Sequence, residues 1–469
     1  MVLRKIQQKQ GQRTHHKARS FCSAALWTLV FSCPLLALAR QHNTNISTQE
    51  EHALQESSKS LASGYKNTSA PPAALSLHRS FNVNDIISIA QRLTSERRVP
   101  GMALAIVQGG RILNVSGYGI TDVRHPTPVT KHTVFRLASL SKAFASSLTG
   151  LLVNEGNLQW DSKIVDYIPD FRLFNPEASQ QLTIEDVLSQ RVGLPRNAYD
   201  NQVESNTEYH TLLEHLAQTP LICAPGQCYS YQNVAFSIIG QVVYAATGCD
   251  YSKAVQERLF EPLGMTDASL GLLGLENSPQ WAHPHMRSRH GWVSVLPREA
   301  YYRLPAAAGV NASASDMAKW LLAQTGHRPD VLGPSLLATL HTPLIKTPSE
   351  IKYGWRHDRV WSASYALAWR VFDYSGTTLV FHAGAVQGYR GVVAILPAYD
   401  FGVAILWNGE TAAPVGLLPT ILDRALGLPP HHWLDIDTDP ELSTTSLLAT
   451  KRERLKHSAD TTKRYASPD

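Results

Sequence analysis

Charge is scarce in this chain. Only 17% of its 469 residues are Asp, Glu, Lys or Arg, against 43% that are hydrophobic. Such a chain can bury a full-sized core, which excludes intrinsic disorder as its main state. Cysteine is scarcer still, with five in all, too few for a disulfide-dense scaffold. An excess of base is missing where a nucleic acid would meet it. The formal +5 lies at the ends: residues 1–39 hold Arg4, Lys5, Lys9, Arg13, Lys17 and Arg19 with no acid, and residues 450–469 hold six bases and three acids. The body from 40 to 430 carries 31 charges of each sign. No basic face is implied, and no nucleic-acid partner is expected. Apolar runs long enough to span a bilayer are missing apart from residues 21–39, so a multi-span membrane protein is excluded.

Two missing motifs narrow the chemistry. The sequence has no His-Glu-x-x-His and no Gly-x-Ser-x-Gly, which argues against a helical zinc-hydrolase site and against an α/β-hydrolase elbow. His283, His285 and His290 lie close together, but Pro284 interrupts them and they lack the i, i+4 register of helical ligands. Neither a metal nor a cofactor is expected.

The N-terminus reads as an address. Its basic stretch is followed by the apolar run 21–39, which ends in Ala37-Leu38-Ala39, the small-x-small pattern of a signal-peptidase site. The run of 19 residues also suits a retained membrane anchor. Export is expected on either reading, to a periplasmic location with membrane anchoring through residues 21–39 as the alternative to cleavage. Cys22 and Cys33 fall in this leader, leaving Cys223, Cys228 and Cys249. Between Cys223 and Cys228, Pro225-Gly226 favours a tight turn that brings the two sulfurs together, and an oxidising compartment lets the bridge persist. Cys249 is left over as a buried thiol. Asn-x-Ser/Thr sequons stand at Asn45, Asn67, Asn114 and Asn311.

Residues 40–80, rich in Ser, Asn, Gln and Ala, read as a flexible linker. Order is expected from Val83, with Asp85 capping a helix through Leu93. Apolar runs at 102–108 and 111–118, separated by Gly109-Gly110, predict a hairpin. A helix is expected over 140–154. Residues 158–300 read as short helical segments broken by Gly and Pro, among them 184–188 and 234–246. Ser315-Asp316 is placed as the cap of a helix through Leu322. Strands return at 365–373, 378–382, 391–396 and 402–407, and a last helix spans 414–426. Asn408-Gly409 reads as a turn, with Asn408 a candidate for the pocket lining. Strands at both ends and helices between predict an α+β fold: an antiparallel sheet flanked by helices, with an all-helical insertion. The catalytic body is placed at 81–430 and a polar tail at 431–469.

Three local patterns carry chemistry. In Ser139-Leu140-Ser141-Lys142, at the start of a helix, residues three apart share a face, so the Lys142 ammonium can approach the Ser139 hydroxyl. A serine needs such help to act as a nucleophile. Ser63-Gly64-Tyr65-Lys66 and Ser349-Glu350-Ile351-Lys352 match the spacing but open no apolar-periodic helix. Tyr231-Gln232-Asn233 offers a phenol for proton transfer and an amide that can both donate and accept. Tyr65-Lys66-Asn67 and Tyr199-Asp200-Asn201 repeat its spacing. His382-Ala383-Gly384 closes a strand, where small residues let a substrate lie along the edge, and the Ala385 N–H can join that of Ser139 as an oxyanion hole.

Their order, with Tyr231 92 residues after Ser139 and His382 a further 151 on, resembles the serine β-lactamase and penicillin-binding-protein superfamily, in particular its class C β-lactamase-like branch. The flanks agree: Phe135-Arg136-Leu137-Ala138 before Ser139, Gly193-Leu194-Pro195, Pro262-Leu263-Gly264-Met265, and Ser315-Asp316-Met317-Ala318. The resemblance covers about residues 83–427. It implies that Ser139 is the acylated nucleophile, Lys142 its activating partner and Tyr231 the proton shuttle. It makes Asn233 a ligand of the substrate amide and His382 a polariser of Tyr231 and of the substrate carboxylate, with Gly384 and Ala385 beside it on the substrate-binding edge. The substrates it implies are β-lactams or D-Ala-type peptides derived from peptidoglycan, with small esters or acylation without turnover as alternatives. The third motif departs from the Lys-Thr-Gly of specialised class C enzymes, since a neutral His382 is a weaker carboxylate anchor than a fixed ammonium.

Overall fold

A computed structural model describes residues 74–435. The leader, most of the linker and most of the tail lie outside the described residues. The first strand pairs with the last. Strands β1 (Gly101–Gln108) and β2 (Arg111–Gly119) form the expected hairpin, and β1 runs antiparallel to β13 (Phe401–Trp407) with Met102 opposite Trp407. The order β2-β1-β13-β12-β11-β10-β9-β8 gives one eight-stranded antiparallel sheet. In it β8 is Ile345–Lys346, β9 Val360–Tyr365, β10 Arg370–Tyr374, β11 Thr377–Val386 and β12 Tyr389–Leu396. A smaller sheet joins β3 (Val134–Arg136), β7 (Val310–Ser313) and β4 (Ser269–Leu270).

Both faces of the large sheet are covered. Met102, Leu104, Ile106, Val403 and Ile405 point to one side, beneath helix α1 (Val83–Ser95) and the terminal helix Leu417–Leu426. Ala103, Ala105, Ala404 and Leu406 point to the other, beneath α2 (Ser141–Asn154) and the helix Ala314–Gln324. This alternation explains why β12 and β13 are buried at every position and, Arg390 apart, read as apolar runs. Helix α2 is itself almost wholly buried, with Phe144 stacked on Trp320 at 3.9 Å between ring centroids. Its serines are accommodated by partners: Ser146 Oγ donates to the Leu367 carbonyl at 2.8 Å, and Ser147 Oγ accepts from Gln324 at 3.2 Å.

Several expectations need correction. Asn82, not Asp85, caps α1 by accepting from the Asn84 N–H. Ser313, not Ser315, caps the helix Ala314–Gln324, in a capping box with Asp316. The run 365–373 is two strands, β9 and β10, joined by a turn at residues 366–369 in which Ala366 N–H donates to the Trp369 carbonyl and Ala368 takes a φ of 63°. That turn is buried under the helical region, so it carries apolar residues where Gly or Asn would have marked an exposed one. Strand β11 continues past His382 to Val386. The insertion is not all-helical, because β4 and the hairpin of β5 (His285–Ser288) and β6 (Gly291–Ser294) lie within it. Residues 74–80 are fastened rather than loose: Leu75 N–H donates to Ala398 and His78 N–H to Ala425, each at 2.8 Å. The start of the tail is packed as well, with Trp433 buried and its Nε1 donating to Asp423 at 2.7 Å.

One buried histidine gives the fold a pH dependence. His341 Nε2 lies 3.0 Å from Gln324 Oε1, and its ring stands edge-on to Trp369. Burial pushes its pKa from 6.5 down to about 4. The unfolded chain therefore binds this proton more readily, so its contribution to stability is present above pH 6.5 and is lost as the pH falls toward 4. The melting temperature should drop across that window by the equivalent of roughly 1–3 kcal/mol. His341→Gln should flatten the step, and an unchanged acid slope in the variant would assign it to other groups.

Candidate active site

The chain reaches Ser139 through a strained turn. Ala138 adopts φ 50°, a left-handed conformation that costs a non-glycine residue on the order of 1 kcal/mol, and Ser139 follows in a 3₁₀ turn leading into α2. Lys142, one helical turn on, is completely buried. Its Nζ donates to Ser139 Oγ at 3.1 Å, to Asn233 Oδ1 at 2.6 Å and to the Ala307 carbonyl at 3.1 Å. Three oxygen acceptors around the nitrogen match the three donors of an ammonium. Ser141 faces away, accepting from the Val310 N–H at 2.9 Å.

Tyr231 and Asn233 sit on a loop fastened to residues 190–197. Gln190 reads the backbone around the tyrosine: its Oε1 accepts from the Gln232 N–H at 2.6 Å, its Nε2 donates to the Gln232 carbonyl at 3.1 Å, and its own carbonyl accepts from Ser230 N–H at 2.9 Å. Asn197 N–H donates to the Tyr231 carbonyl at 2.8 Å. Cations surround the Tyr231 ring, with Lys142 at 4.9 Å, Arg370 at 5.6 Å and Arg196 at 5.9 Å from its centroid. Nearby, burial first, then Asp200, Glu204 and Tyr231, push the Tyr301 phenol well up, so it stays protonated. Asn233 is a bridge: besides accepting from Lys142, its Nδ2 donates to Asp200 Oδ2 at 2.9 Å.

Cys223 and Cys228 are joined in a disulfide, with their Cα atoms 6.2 Å apart. The loop it closes lies on the same supporting segment: Gly226 N–H donates to Arg191, Ile222 N–H donates to Gly193, and a Cβ on Gly193 would fall 2.2 Å from the Cys223 oxygen. Cys249 is buried. Closing so short a loop stabilises the fold by about 2 kcal/mol in the chain-entropy account. The double variant Cys223→Ser/Cys228→Ser should therefore melt several degrees lower, and kcat should fall about threefold to tenfold because Tyr231 is less firmly placed. Unchanged melting and kinetics would remove the bridge from this account.

Strand β11 forms the opposite wall. A Cβ on Gly384 would lie 2.4 Å from the Leu137 carbonyl and 3.2 Å from Ser139 N, so only glycine lets the strand press against the nucleophile's turn. Strand β10 covers β11 only as far as Phe381, opposite Arg370. The stretch from Ala383 to Val386, including Ala385, lies beyond the β10–β11 ladder, and an extended ligand can lie along it.

Residues passed over in the sequence complete the site. Asp200 and Glu350 belong to two of the four pattern repeats noted above, Tyr199-Asp200-Asn201 and Ser349-Glu350-Ile351-Lys352. Buried Glu350 gathers Arg356 at 2.9 Å and Arg370 and Arg196 at 3.6 Å each, with the Tyr229 hydroxyl at 3.5 Å. The available signal was Arg370 itself, a charge inside the apolar run Leu367-Ala368-Trp369-Arg370-Val371-Phe372. Asn408, in contrast, does not serve the pocket. Its Nδ2 is spent on the Ile120 and Thr121 carbonyls, and its own carbonyl lies 2.9 Å from His285 Nδ1. His285 Nε2 accepts from Val123 N–H, His283 stacks on Trp281, and His290 is exposed at the β5–β6 turn. Asn311 is fully buried and bonded to Tyr302 and Gly271, which closes that sequon to modification in the folded chain.

A family model described as Beta-lactamase matches residues 86–426. The chain belongs to the Beta-lactamase family. Within it, this chain is similar to an unguisins hydrolase of Aspergillus campestris, at 26% identity over 75% of this chain and 67% of that protein. It shares the fold of an octameric penicillin-binding protein homologue from Pyrococcus abyssi, at TM-score 0.66 and 22% identity over 75% of this chain and 79% of the other. It also matches a D-alanine carboxypeptidase, AmpC, from Burkholderia cenocepacia, at TM-score 0.58 and 21% identity over 74% of this chain and 99% of the other.

Proposed function

We propose that this β-lactamase-family chain is a serine hydrolase that works through an acyl-enzyme on Ser139, with D-Ala-type peptides or β-lactams as substrates. The observation that carries this reading is the buried Lys142 ammonium 3.1 Å from Ser139 Oγ and 2.6 Å from Asn233 Oδ1. Lys142 donates to the nucleophile, so its role is to stabilise the forming alkoxide. The serine proton passes to Tyr231, which the surrounding cations hold ready as a base. Ser139 Oγ attacks the substrate carbonyl, and the leaving amine takes a proton from Tyr231. A water then gives its proton to Tyr231 as it attacks the ester, and Tyr231 passes that proton to the departing Ser139 Oγ, releasing the acid and restoring both groups. The oxyanion is received by the Ser139 and Ala385 N–H groups. That a fold neighbour is a D-alanine carboxypeptidase supports the peptide substrate.

One observation favours a second substrate class, small carboxylic esters: the third motif opens on His382, whose ring is occupied by Ala383, Tyr365 and Arg370, and an ester needs no carboxylate anchor. The basic leader and the disulfide support export into an oxidising, periplasmic compartment. Among the described residues no helix is long and apolar enough to cross a membrane; the apolar run 21–39 lies outside them. Turnover of a chromogenic cephalosporin, a D-Ala-D-Ala peptide and a p-nitrophenyl ester by the purified protein tests the assignment. Turnover of the lactam or the peptide above the ester, by at least tenfold in kcat/KM, is expected. Ester hydrolysis alone would select the second class. Stoichiometric labelling by a fluorescent penicillin without release would instead mark an acylated sensor.

A further inference from the structure

The third motif opens on a histidine, and the hydrogen-bonding inventory around His382 shows where the nearest fixed charge lies. His382 is fully buried. Its Nδ1 lies 2.8 Å from the Ala383 carbonyl oxygen, which can only accept, so Nδ1 carries a proton. Its Nε2 lies 3.2 Å from Arg370 Nη1, which can only donate, so Nε2 presents a lone pair. The Tyr365 hydroxyl, also 3.2 Å from Nε2, can turn its proton toward the ring and is compatible with that state. A second proton on the ring would set an N–H against the guanidinium in a buried site, where like charges repel strongly.

The charged groups on each side are consistent with a neutral ring. Arg370 opens β10, opposite Phe381 of β11, and is itself buried. Glu350 holds it at 3.6 Å and shares its carboxylate with Arg356 and Arg196. Across the cleft the Tyr231 ring lies 6.3 Å from the imidazole, with Lys142 beyond it. Arginines and Lys142 thus outnumber Glu350 around His382, and the Arg370 guanidinium approaches the rings of both Tyr231 and Tyr365, at 5.6 and 5.8 Å.

We propose that Arg370 is a positioning residue that locks His382 as a neutral hydrogen-bond acceptor and itself carries the fixed positive charge of the third motif. Its consequence for catalysis rests on the hydrolase reading above; the protonation state does not. The test is histidine-selective ¹⁵N NMR of the full chain, with the His382 resonance assigned by its loss in His382→Asn. In the natural protein His382 should show the Nδ1–H neutral pattern and should not titrate between about pH 5 and 9. In Arg370→Met, with the guanidinium gone but the ring still buried, it should take up a proton at higher pH than in the natural protein. The kcat/KM profile of that variant should gain a new ionisation on its acid side and fall at least about tenfold, and Arg370→Lys should recover part of the loss. Titration of His382 in the natural protein near pH 6.5, or a neutral His382 that survives unchanged in folded Arg370→Met, would overturn the proposal. If Arg370→Met does not fold, the same titration of Arg370→Gln, which keeps a polar side chain without the charge, decides the matter. A non-titrating His382 in a protein that hydrolyses nothing would contradict the hydrolase reading and leave this one standing.

Discussion

Ser139→Ala should lower kcat/KM by about 10⁴-fold or more on whichever acyl substrate the protein turns over, with the melting temperature changed by no more than about 2 °C. The size follows from the mechanism: without Oγ there is no acyl-enzyme, and only binding and the oxyanion donors remain to accelerate direct attack by water. The small change in stability follows from position. The hydroxyl is partly exposed at the cleft, its one described contact is with Lys142, and the backbone turn through Ala138 does not need it. Steady-state kinetics with thermal melts checks both halves. Residual activity above about one per cent would require another nucleophile.

Lys142→Met should be nearly as severe, with kcat/KM down by about 10³-fold or more and KM changed far less than kcat. Methionine keeps the unbranched length of the side chain but removes the ammonium that Ser139 Oγ, Asn233 Oδ1 and the Ala307 carbonyl share. The forming alkoxide loses its counter-charge, Tyr231 loses one of its cations, and Asn233 is released from one side while Asp200 still holds the other. Stability should move little in comparison, because the cost of leaving those acceptors unmet is offset by no longer burying a charge. Lys142→Arg should not rescue, since a planar guanidinium cannot fit three acceptors arranged around a single nitrogen. A loss of activity that merely tracks a collapse in melting temperature would make Lys142 a structural residue.

The parts of this molecule legible in the sequence are those governed by local periodicity. The β1–β2 hairpin, the helix after Ser139 and strands β12 and β13 follow from apolar pattern and from Gly109-Gly110. The placement of Lys142 beside Ser139 follows from helical geometry. What stayed hidden depends on tertiary burial. The turn at 366–369 has no glycine or proline because it faces the protein interior, so it looked like part of a strand. Asn82 and Ser313 are hard to pick out as caps because Asp85 and Ser315, three and two residues later, are equally good local acceptors. Asp200 and Glu350 looked like ordinary loop residues, since nothing near them in the chain reveals that Asn233 and Arg370 lie across the fold. His382 was found by its motif, but Arg370, its partner from the neighbouring strand, could be identified only once the register of β10 against β11 placed it there.

The central claim is a covalent one, and intact-protein mass spectrometry after millisecond mixing with a lactam or activated D-Ala ester tests it directly. The account predicts a burst-phase mass increase equal to one acyl group. Proteolysis should map it to the peptide containing Ser139, and it should decay at the rate of turnover and be absent from Ser139→Ala. Turnover with no acyl intermediate in the natural protein, or an adduct mapped to any other residue, would contradict it.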